Sequence, residues 1–206
     1  DPQAHWDLRN DPTVAALSYH QTVVRLISKL EFVTAIANEI AIAIGATSHL
    51  HVKEKIAELI IQLETIKGLL VAAEEQASPN DDDIWLPAVP PLETARNLGT
   101  RFYPRAIEIL QQIGAGGLLQ IPSRISELEG PIAPFLHKYY RGADRDAVDR
   151  IHLFKIAWDL IGSPLASRHE LYERFYTGDP VRTFAGQYVN YDKSHLINRV
   201  KEIIKI

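Results

Sequence analysis

Between residues 14 and 44, apolar residues recur at every third or fourth position. The stripe consists of Val23, Leu26, Ile27, Leu30, Val33, Ile36, Ala37 and Ile40. This spacing predicts one long amphipathic helix with a broad apolar face. Asp11 and Pro12 supply an N-cap and a first-turn proline, and Gly45 supplies the stop. Such a helix must bury its apolar face against other helices.

A second helix is predicted over residues 49–76, because a similar stripe runs along it. Its members are Val52, Ile56, Leu59, Leu63, Ile66 and Leu70. The opposite face is charged, as a solvated or inter-subunit surface would be. Only about four residues separate the two helices, so they should pack as antiparallel neighbours.

The remaining sequence predicts one loop and a series of further helices. Residues 78–91 contain four prolines and three consecutive aspartates, which should exclude regular structure. A third helix is expected over residues 91–113, with a kink or break at Pro104. Shorter helices are expected over residues 131–140, 144–161, 164–176, 180–191 and 194–204. We therefore predict an all-α bundle of long antiparallel helices with a tail of shorter ones.

Composition excludes several functional classes. The 206 residues are 46% apolar and carry a net charge of −4, with no basic segment of the kind that binds nucleic acid. Cysteine is absent, which excludes thiolate catalysis and Cys-ligated metal within this chain. The most apolar window, residues 32–46, is too short to span a bilayer. We expect no membrane partner and a cytoplasmic location.

Acidic and histidine side chains give little evidence of a metal site. His49 and His51 are two positions apart on a helix and point to different faces, so they cannot chelate a metal together. The run Asp81–Asp83 has the chemistry of a cation site, but a solvated acidic turn is the preferred interpretation. His20 is interpreted as a hydrogen-bonded, partly buried residue. We expect no metal, and the residues alone indicate no general acid or base.

The glycine cluster at residues 114–117 admits two interpretations. It has neither the spacing of a dinucleotide-binding fingerprint nor that of a P-loop. Glycines between helices let backbone amides approach a ligand or another chain closely. Alternatively, the cluster is a helix C-cap followed by a tight turn.

Residues 162–179 have the pattern of an anion site. Pro164 starts a new helix, so the amides of residues 166–169 should lie in its first turn with free donors. Arg168 stands at that positive helix end, and amides with a guanidinium suit a phosphate or diphosphate. The alternative is a surface helix in which Arg168 pairs with Glu170 or Glu173.

Five segments together resemble the oxygenase component of the 4-hydroxyphenylacetate 3-hydroxylase family. They are YHQTVVRLISKLEF at residues 19–32, HVKEKIAELI at 51–60, NLGTRFYPRAIEIL at 97–110, GAGGLLQIPS at 114–123, and the block from residue 158 to residue 193. The resemblance covers nearly the whole chain, in the family's order. It implies a two-component monooxygenase in which a separate reductase supplies reduced FAD and the oxygenase hydroxylates a phenol ortho to its hydroxyl group.

The resemblance also implies a fold, an assembly and a site. The chain is similar to the C-terminal helical bundle of acyl-CoA dehydrogenase type that forms a homotetramer, a dimer of dimers. Residues 1–10 would then be the end of a preceding β-domain or linker, and 11–206 the flavin-binding and oligomerisation domain. The family's flavin-contacting block matches Ala166, Ser167, Arg168 and His169. A glycine turn that approaches flavin across a subunit boundary matches Gly114, Gly116, Gly117 and Gln120.

Two alternatives accompany the resemblance. The 4-hydroxybutyryl-CoA dehydratase group resembles this fold but binds an iron–sulfur cluster through Cys and His, and no cysteine is present here. A helical oligomerisation or interaction module without catalytic activity of its own would need no ligand, and would leave Arg168 without a role. Catalytic residues are expected in preceding domains.

Overall fold

The computed structural model describes residues 1–205, with the side chains of residues 9 and 10 outside the description. Nine α-helices and two short strands follow one another along the described chain. They are α1 (Pro2–Asn10), α2 (Pro12–Ala43), α3 (Leu50–Glu75), β1 (Ser78–Pro79), β2 (Trp85–Leu86), α4 (Val89–Leu119), α5 (Ala133–Tyr139), α6 (Ala147–Ile161), α7 (Pro164–Phe175), α8 (Pro180–Asn190) and α9 (Ser194–Ile204). A 3-10 turn lies at Ile125–Leu128. The prediction of an all-α bundle is confirmed.

Helices α2 and α3 are antiparallel neighbours, as predicted from their short connection. His20 near the start of α2 hydrogen-bonds Glu74 near the end of α3 at 2.8 Å. Further along, Glu31 pairs with Lys67 at 2.7 Å. The residue numbers of the paired positions therefore increase along α2 while they decrease along α3, as in an antiparallel pair.

The core lies between α2, α3 and α4, with α6 closing one side. Both predicted stripes face it: Val23, Leu30 and Ile40 of α2 and Leu59 and Ile66 of α3 are fully buried. Full burial of each large aliphatic side chain stabilises the fold by about 1.5–3 kcal/mol, so burial of these stripes is a major part of the free energy that holds the helices together.

Helix α4 differs from the prediction in where its regular backbone is interrupted. We expected a kink or break at Pro104, but the helix continues through it. Tyr103 and Ala106 on either side are buried, so packing against α2 and α3 holds this turn despite the missing amide donor. The non-helical residue is instead Ala115, with φ 44° and ψ −139°. Helical structure then resumes up to Leu119, so the glycine cluster lies within α4 rather than after it.

The shorter helices follow the predicted order, and α9 has the predicted bounds. Helix α7 packs on α4 and α8 packs on α4 beside it. Residues 2–10 are helical, whereas a β-domain tail or linker was expected there. Their assignment to a preceding domain stays a prediction. No helix within residues 1–205 combines the length and apolar character that crossing a membrane requires.

The loop after α3 contains a little more regular structure than expected. Strands β1 and β2 pair antiparallel, with Ser78 opposite Leu86 and Pro79 opposite Trp85. The Asn80 side chain accepts hydrogen bonds from the amides of Asp82 and Ile84, at 3.0 and 2.9 Å. This Asx turn folds the acidic run back on itself and allows the two-residue ladder to form.

Candidate functional site

The start of α7 carries the predicted anion-binding segment, but its amides are already bonded. Ser163 is the N-cap, and its side chain accepts from the amide of Ala166 at 3.1 Å. The Ser163 carbonyl accepts from the amide of Ser167 at 3.1 Å. The expectation of free donors over residues 166–169 was therefore wrong, because the Ser-Pro pair caps its own helix. A ligand here would be held by side chains.

Arg168 is exposed and keeps its guanidinium unpaired within the described part of the chain. Both of the partners considered for it are engaged elsewhere. Glu170 accepts from Arg174 at 2.6 Å, and Glu173 is buried against α2. The alternative interpretation, in which Arg168 pairs on its own helix, is wrong. Arg168 is therefore free to bind an anion.

A buried ionic cluster fixes α7 against α2. Glu173 is only 5% exposed, and its two carboxylate oxygens each accept from Arg25, both at 3.2 Å. Lys29 donates to Glu173 Oε1 at 2.6 Å. Two cations thus share one carboxylate, which leaves the cluster with one excess positive charge. It lies one turn after Arg168 and His169 on the same helix.

Tyrosines surround this cluster. The Arg25 guanidinium donates to the Tyr172 hydroxyl at 3.1 Å and stacks over the rings of Tyr172 and Tyr176, at 4.7 and 4.5 Å from their centroids. The Lys29 ammonium lies 5.4 Å from the centroid of the Tyr103 ring. Burial, with a smaller contribution from Glu173, raises the pKa of Tyr103 to about 12. Tyr103 therefore stays neutral at physiological pH.

His169 stands between the cluster and the exposed start of α7. Burial is the main cause that lowers its pKa, and the positive charges of Lys29 and Arg168 lower it further, while Glu173 acts in the opposite direction. The imidazole is consequently neutral at pH 7, with one nitrogen that donates and one that accepts.

The glycines of residues 114–117 differ in their surroundings. A Cβ on Gly117 would come within 2.8 Å of the Phe154 ring, so close packing of α4 on α6 requires this glycine. Gly116 is exposed with nothing within 4 Å of its would-be Cβ, and Gln120 is also exposed. The Gln120 carbonyl accepts a hydrogen bond from the Tyr140 hydroxyl. Close helix packing explains Gly117. Gly116 has open space around its Cβ position, while its carbonyl accepts from the Gln120 amide at 3.2 Å.

The glycine segment and the start of α7 occupy different levels along α4. Gln111 of α4 donates to the Ile161 carbonyl at 3.2 Å, two residues before the Ser163 cap. Gly117 lies further along α4, beside Phe154 in the middle of α6. No hydrogen bond or ion pair within residues 1–205 joins Gly116–Gln120 to residues 166–169. The geometry of one chain therefore leaves these two predicted halves of the site apart.

The other histidines and acidic residues form no metal-binding cluster within residues 1–205. The rings of His49 and His51 stack at 5.6 Å at the start of α3. Within residues 1–205, no three His, Asp or Glu side chains come together in a way that could hold a metal ion. His20 forms the hydrogen bond to Glu74 described above.

Sequence reasoning missed Arg25 and Lys29. They stand four residues apart on the otherwise apolar face of α2, and two cations at that spacing on such a face were the available signal. Their partner lies more than 140 residues further along the chain. Only the packed structure identifies it.

The comparison with protein families supplies the decisive observation. Residues 12–205 match the model of the C-terminal part of 4-hydroxyphenylacetate 3-hydroxylase. The chain belongs to this family. The family predicted from the five sequence segments is therefore confirmed.

Known relatives agree with the family model. The oxygenase component of 4-hydroxyphenylacetate 3-monooxygenase from Thermus thermophilus is 42% identical over 186 residues, which is 90% of this chain and 38% of the relative. A solved structure of the oxygenase component of 4-hydroxyphenylacetate 3-monooxygenase, complexed with FAD, superposes with a TM-score of 0.93 at 40% identity, covering 97% of this chain and 42% of that one.

A more distant structure shows the shared fold alone. The 4-hydroxybutyryl-CoA dehydratase of N. maritimus is 19% identical, with a TM-score of 0.84 over 94% of this chain and 39% of that one. The predicted bundle of acyl-CoA dehydrogenase type is confirmed by these neighbours. The chain spans about two fifths of the length of the relatives it matches.

Proposed function

We propose that this chain is the C-terminal, flavin-binding part of a two-component aromatic hydroxylase. The intact enzyme would use reduced FAD from a separate reductase to hydroxylate a phenol ortho to its hydroxyl group, with 4-hydroxyphenylacetate as the model substrate. The single observation that carries the proposal is the family match over residues 12–205. The relatives are named oxygenase components, and solved neighbours hold FAD alone or with 4-hydroxyphenylacetate.

The start of α7 supports a role in holding the cofactor's diphosphate. Arg168 is exposed and unpaired among the described residues, and Ser167 beside it is exposed. A guanidinium matches the geometry of phosphate oxygens with two parallel donors, which an ammonium cannot reproduce. Because Ser163 occupies the first-turn amides, Arg168 must do this through its side chain. Bound reduced FAD would supply the electrons that activate O₂.

The ionic cluster gives α7 the rigidity that such a site needs. Glu173 ties α7 to Arg25 and Lys29 of α2, so Arg168 and His169 project from a helix that cannot rotate freely. The excess positive charge of the cluster favours an anion nearby. The neutral imidazole of His169 can exchange hydrogen bonds with a ligand without adding charge.

We also propose that the chain assembles as a homotetramer, a dimer of dimers. Apolar side chains stay exposed on α3, at Ile60, Ile61 and Val71, and on α7, at Leu165 and Leu171. Exposed apolar side chains on these two helices are the candidates for burial between subunits. In such an assembly Gly116, Gly117 and Gln120 of one subunit would approach the cofactor of another, which would join the two halves that one chain keeps apart.

The whole-protein activity is tested by supplying the intact enzyme with photochemically reduced FAD, O₂ and 4-hydroxyphenylacetate. We expect 3,4-dihydroxyphenylacetate by liquid chromatography, without any need for the reductase protein itself. Oxidised FAD is the control and should give no product. If no phenol is hydroxylated and the intact protein does not bind reduced FAD, the alternative is correct, namely a helical oligomerisation module without catalytic activity.

Light scattering tests the assembly separately. A tetramer of the intact enzyme at micromolar concentration is expected, and a monomer would contradict the proposal. The cytoplasmic location expected from the sequence stays a prediction.

A further inference from the structure

A cavity of about 420 Å³ opens between α4, α7 and α8. Its lining combines two arginines with two phenylalanines and small or aliphatic side chains. The residues are Thr100, Arg101, Arg174, Phe175, Pro180, Val181 and Phe184. The volume lies in the range of about 300–1,000 Å³ usual for small-molecule sites, which are mostly apolar with a few polar groups.

The two arginines of this cavity differ in their partners. Arg174 is neutralised by Glu170, which accepts from it at 3.0 and 2.6 Å. Arg101 has no carboxylate within ion-pair distance among residues 1–205. Its guanidinium lies over the Phe184 ring, 4.4 Å from the centroid. Since stacking uses only the face of the guanidinium, the N–H donors at its edge are available to a ligand.

Hydrogen bonds outside the cavity hold two of its walls together. The Asn97 amide on α4 donates to Gln187 of α8 at 2.6 Å. Gln187 in turn donates to the hydroxyl of Thr94 at 2.6 Å. Asp179 caps the start of α8 by accepting from the Val181 amide at 3.1 Å. A ligand therefore meets a largely preformed surface and spends little free energy on ordering it.

We propose that this cavity binds a planar aromatic anion, with the ring against Phe184 and Phe175 and the anionic group on Arg101. A carboxylate or phosphate accepts two parallel hydrogen bonds from one guanidinium, which fixes its orientation. The aromatic body replaces water on the two phenylalanine rings and gains offset or edge-to-face stacking. The single unpaired cation selects an anion over a neutral or cationic compound of the same shape. The inference does not depend on the proposed flavin site.

Two kinds of compound are planar aromatic anions of this type, an aromatic carboxylic acid and the nucleotide part of a cofactor, so two probes are used. Phenylacetate represents the acid and ADP represents the nucleotide, each titrated into the flavin-free protein by calorimetry. Phenylacetamide has nearly the same shape as phenylacetate without its charge, and acetate has the charge without the ring. We expect saturable binding of phenylacetate or ADP in about the millimolar range or tighter, and much weaker binding of phenylacetamide and acetate.

Variants locate the site. Arg101→Gln should lower the affinity for the probe that binds by roughly ten- to a hundredfold, because it removes a charge-assisted contact. Arg101→Lys should restore part of the affinity. Arg182→Gln, which removes the same charge from the exposed side of α8 outside the cavity lining, is the matched control and should leave affinity unchanged.

The thermal midpoint separates a binding role from a structural one. If Arg101 only fastens α8 to α4, Arg101→Gln lowers the midpoint of the free protein and no probe raises it in the wild type. That result, or equal probe affinity in Arg101→Gln and Arg182→Gln, would overturn the proposal. A probe that raises the wild-type midpoint and not that of Arg101→Gln supports it, and the identity of that probe names the source.

Discussion

Replacing Glu173 by alanine should strongly destabilise the bundle. The substitution leaves Arg25 and Lys29 without their shared carboxylate, in side chains that are only 19% and 18% exposed. Removing one partner of a buried ion pair costs about 3–5 kcal/mol. Because both cations keep some contact with water, we expect a value of about 3 kcal/mol, at the lower end of this range. For a chain of this length that lowers the thermal midpoint by about 6–12 °C.

Urea unfolding at pH 7, followed by far-ultraviolet circular dichroism, measures this loss. The matched control is Glu170→Ala on the same helix. Glu170 is 32% exposed at the side chain and pairs with Arg174 four residues on, a surface contact worth about 0.3–0.5 kcal/mol. A combined variant with methionine at positions 25 and 29 and leucine at 173 should recover stability, since apolar packing replaces unpaired charge. Equal losses in Glu173→Ala and Glu170→Ala would refute the argument that this cluster anchors α7.

Two further predictions follow from the geometry. Gly117→Ala should destabilise the chain by about 1–3 kcal/mol, because the new methyl group meets the buried ring of Phe154 at 2.8 Å. Gly116→Ala has open space around the new methyl group and should cost far less. Thermal unfolding of both variants tests this difference. The pKa of His169 should lie below the ordinary value of 6.5 in a two-dimensional NMR titration, and Lys29→Met should raise it. Since the folded-state pKa is depressed, the stability linked to this histidine is present above pH 6.5 and is lost as pH falls through the folded-state pKa. An NMR titration midpoint of His169 that Lys29→Met leaves unchanged would contradict the assigned cause.

The sequence predicts the helices well because their signals are local. The stripe of α2, its Asp11-Pro12 start and its Gly45 stop all lie within one segment, and the structure places α2 at Pro12–Ala43. The interruption of α4 was misplaced for the opposite reason. Packing against neighbouring helices carries the backbone through Pro104, while the irregular Ala115 has no proline to mark it.

The candidate site was predicted only in part. Arg168 was found because a helix start with a guanidinium is a local pattern. The Ser163 cap, which binds the Ala166 amide, could also have been predicted, since serine before proline is a common helix start. The contact of Glu173 with Arg25 and Lys29 depends on the packing of α7 against α2, and no spacing along the chain encodes it. No hydrogen bond or ion pair within residues 1–205 joins the two predicted halves of the flavin site, and the proposed assembly would bring them together from two subunits.

The affinity of the intact enzyme for reduced FAD, measured anaerobically, tests most directly whether α7 holds the cofactor. We expect Arg168→Ala to remove a charge-assisted contact worth about 1.5–3 kcal/mol, which is roughly a ten- to hundredfold loss of affinity. Arg168→Lys should restore only part of it, and the thermal midpoint should change little in either variant because Arg168 is exposed. Equal affinities for the wild type and both variants would show that Arg168 is an ordinary surface residue and that the flavin site proposed on α7 is wrong.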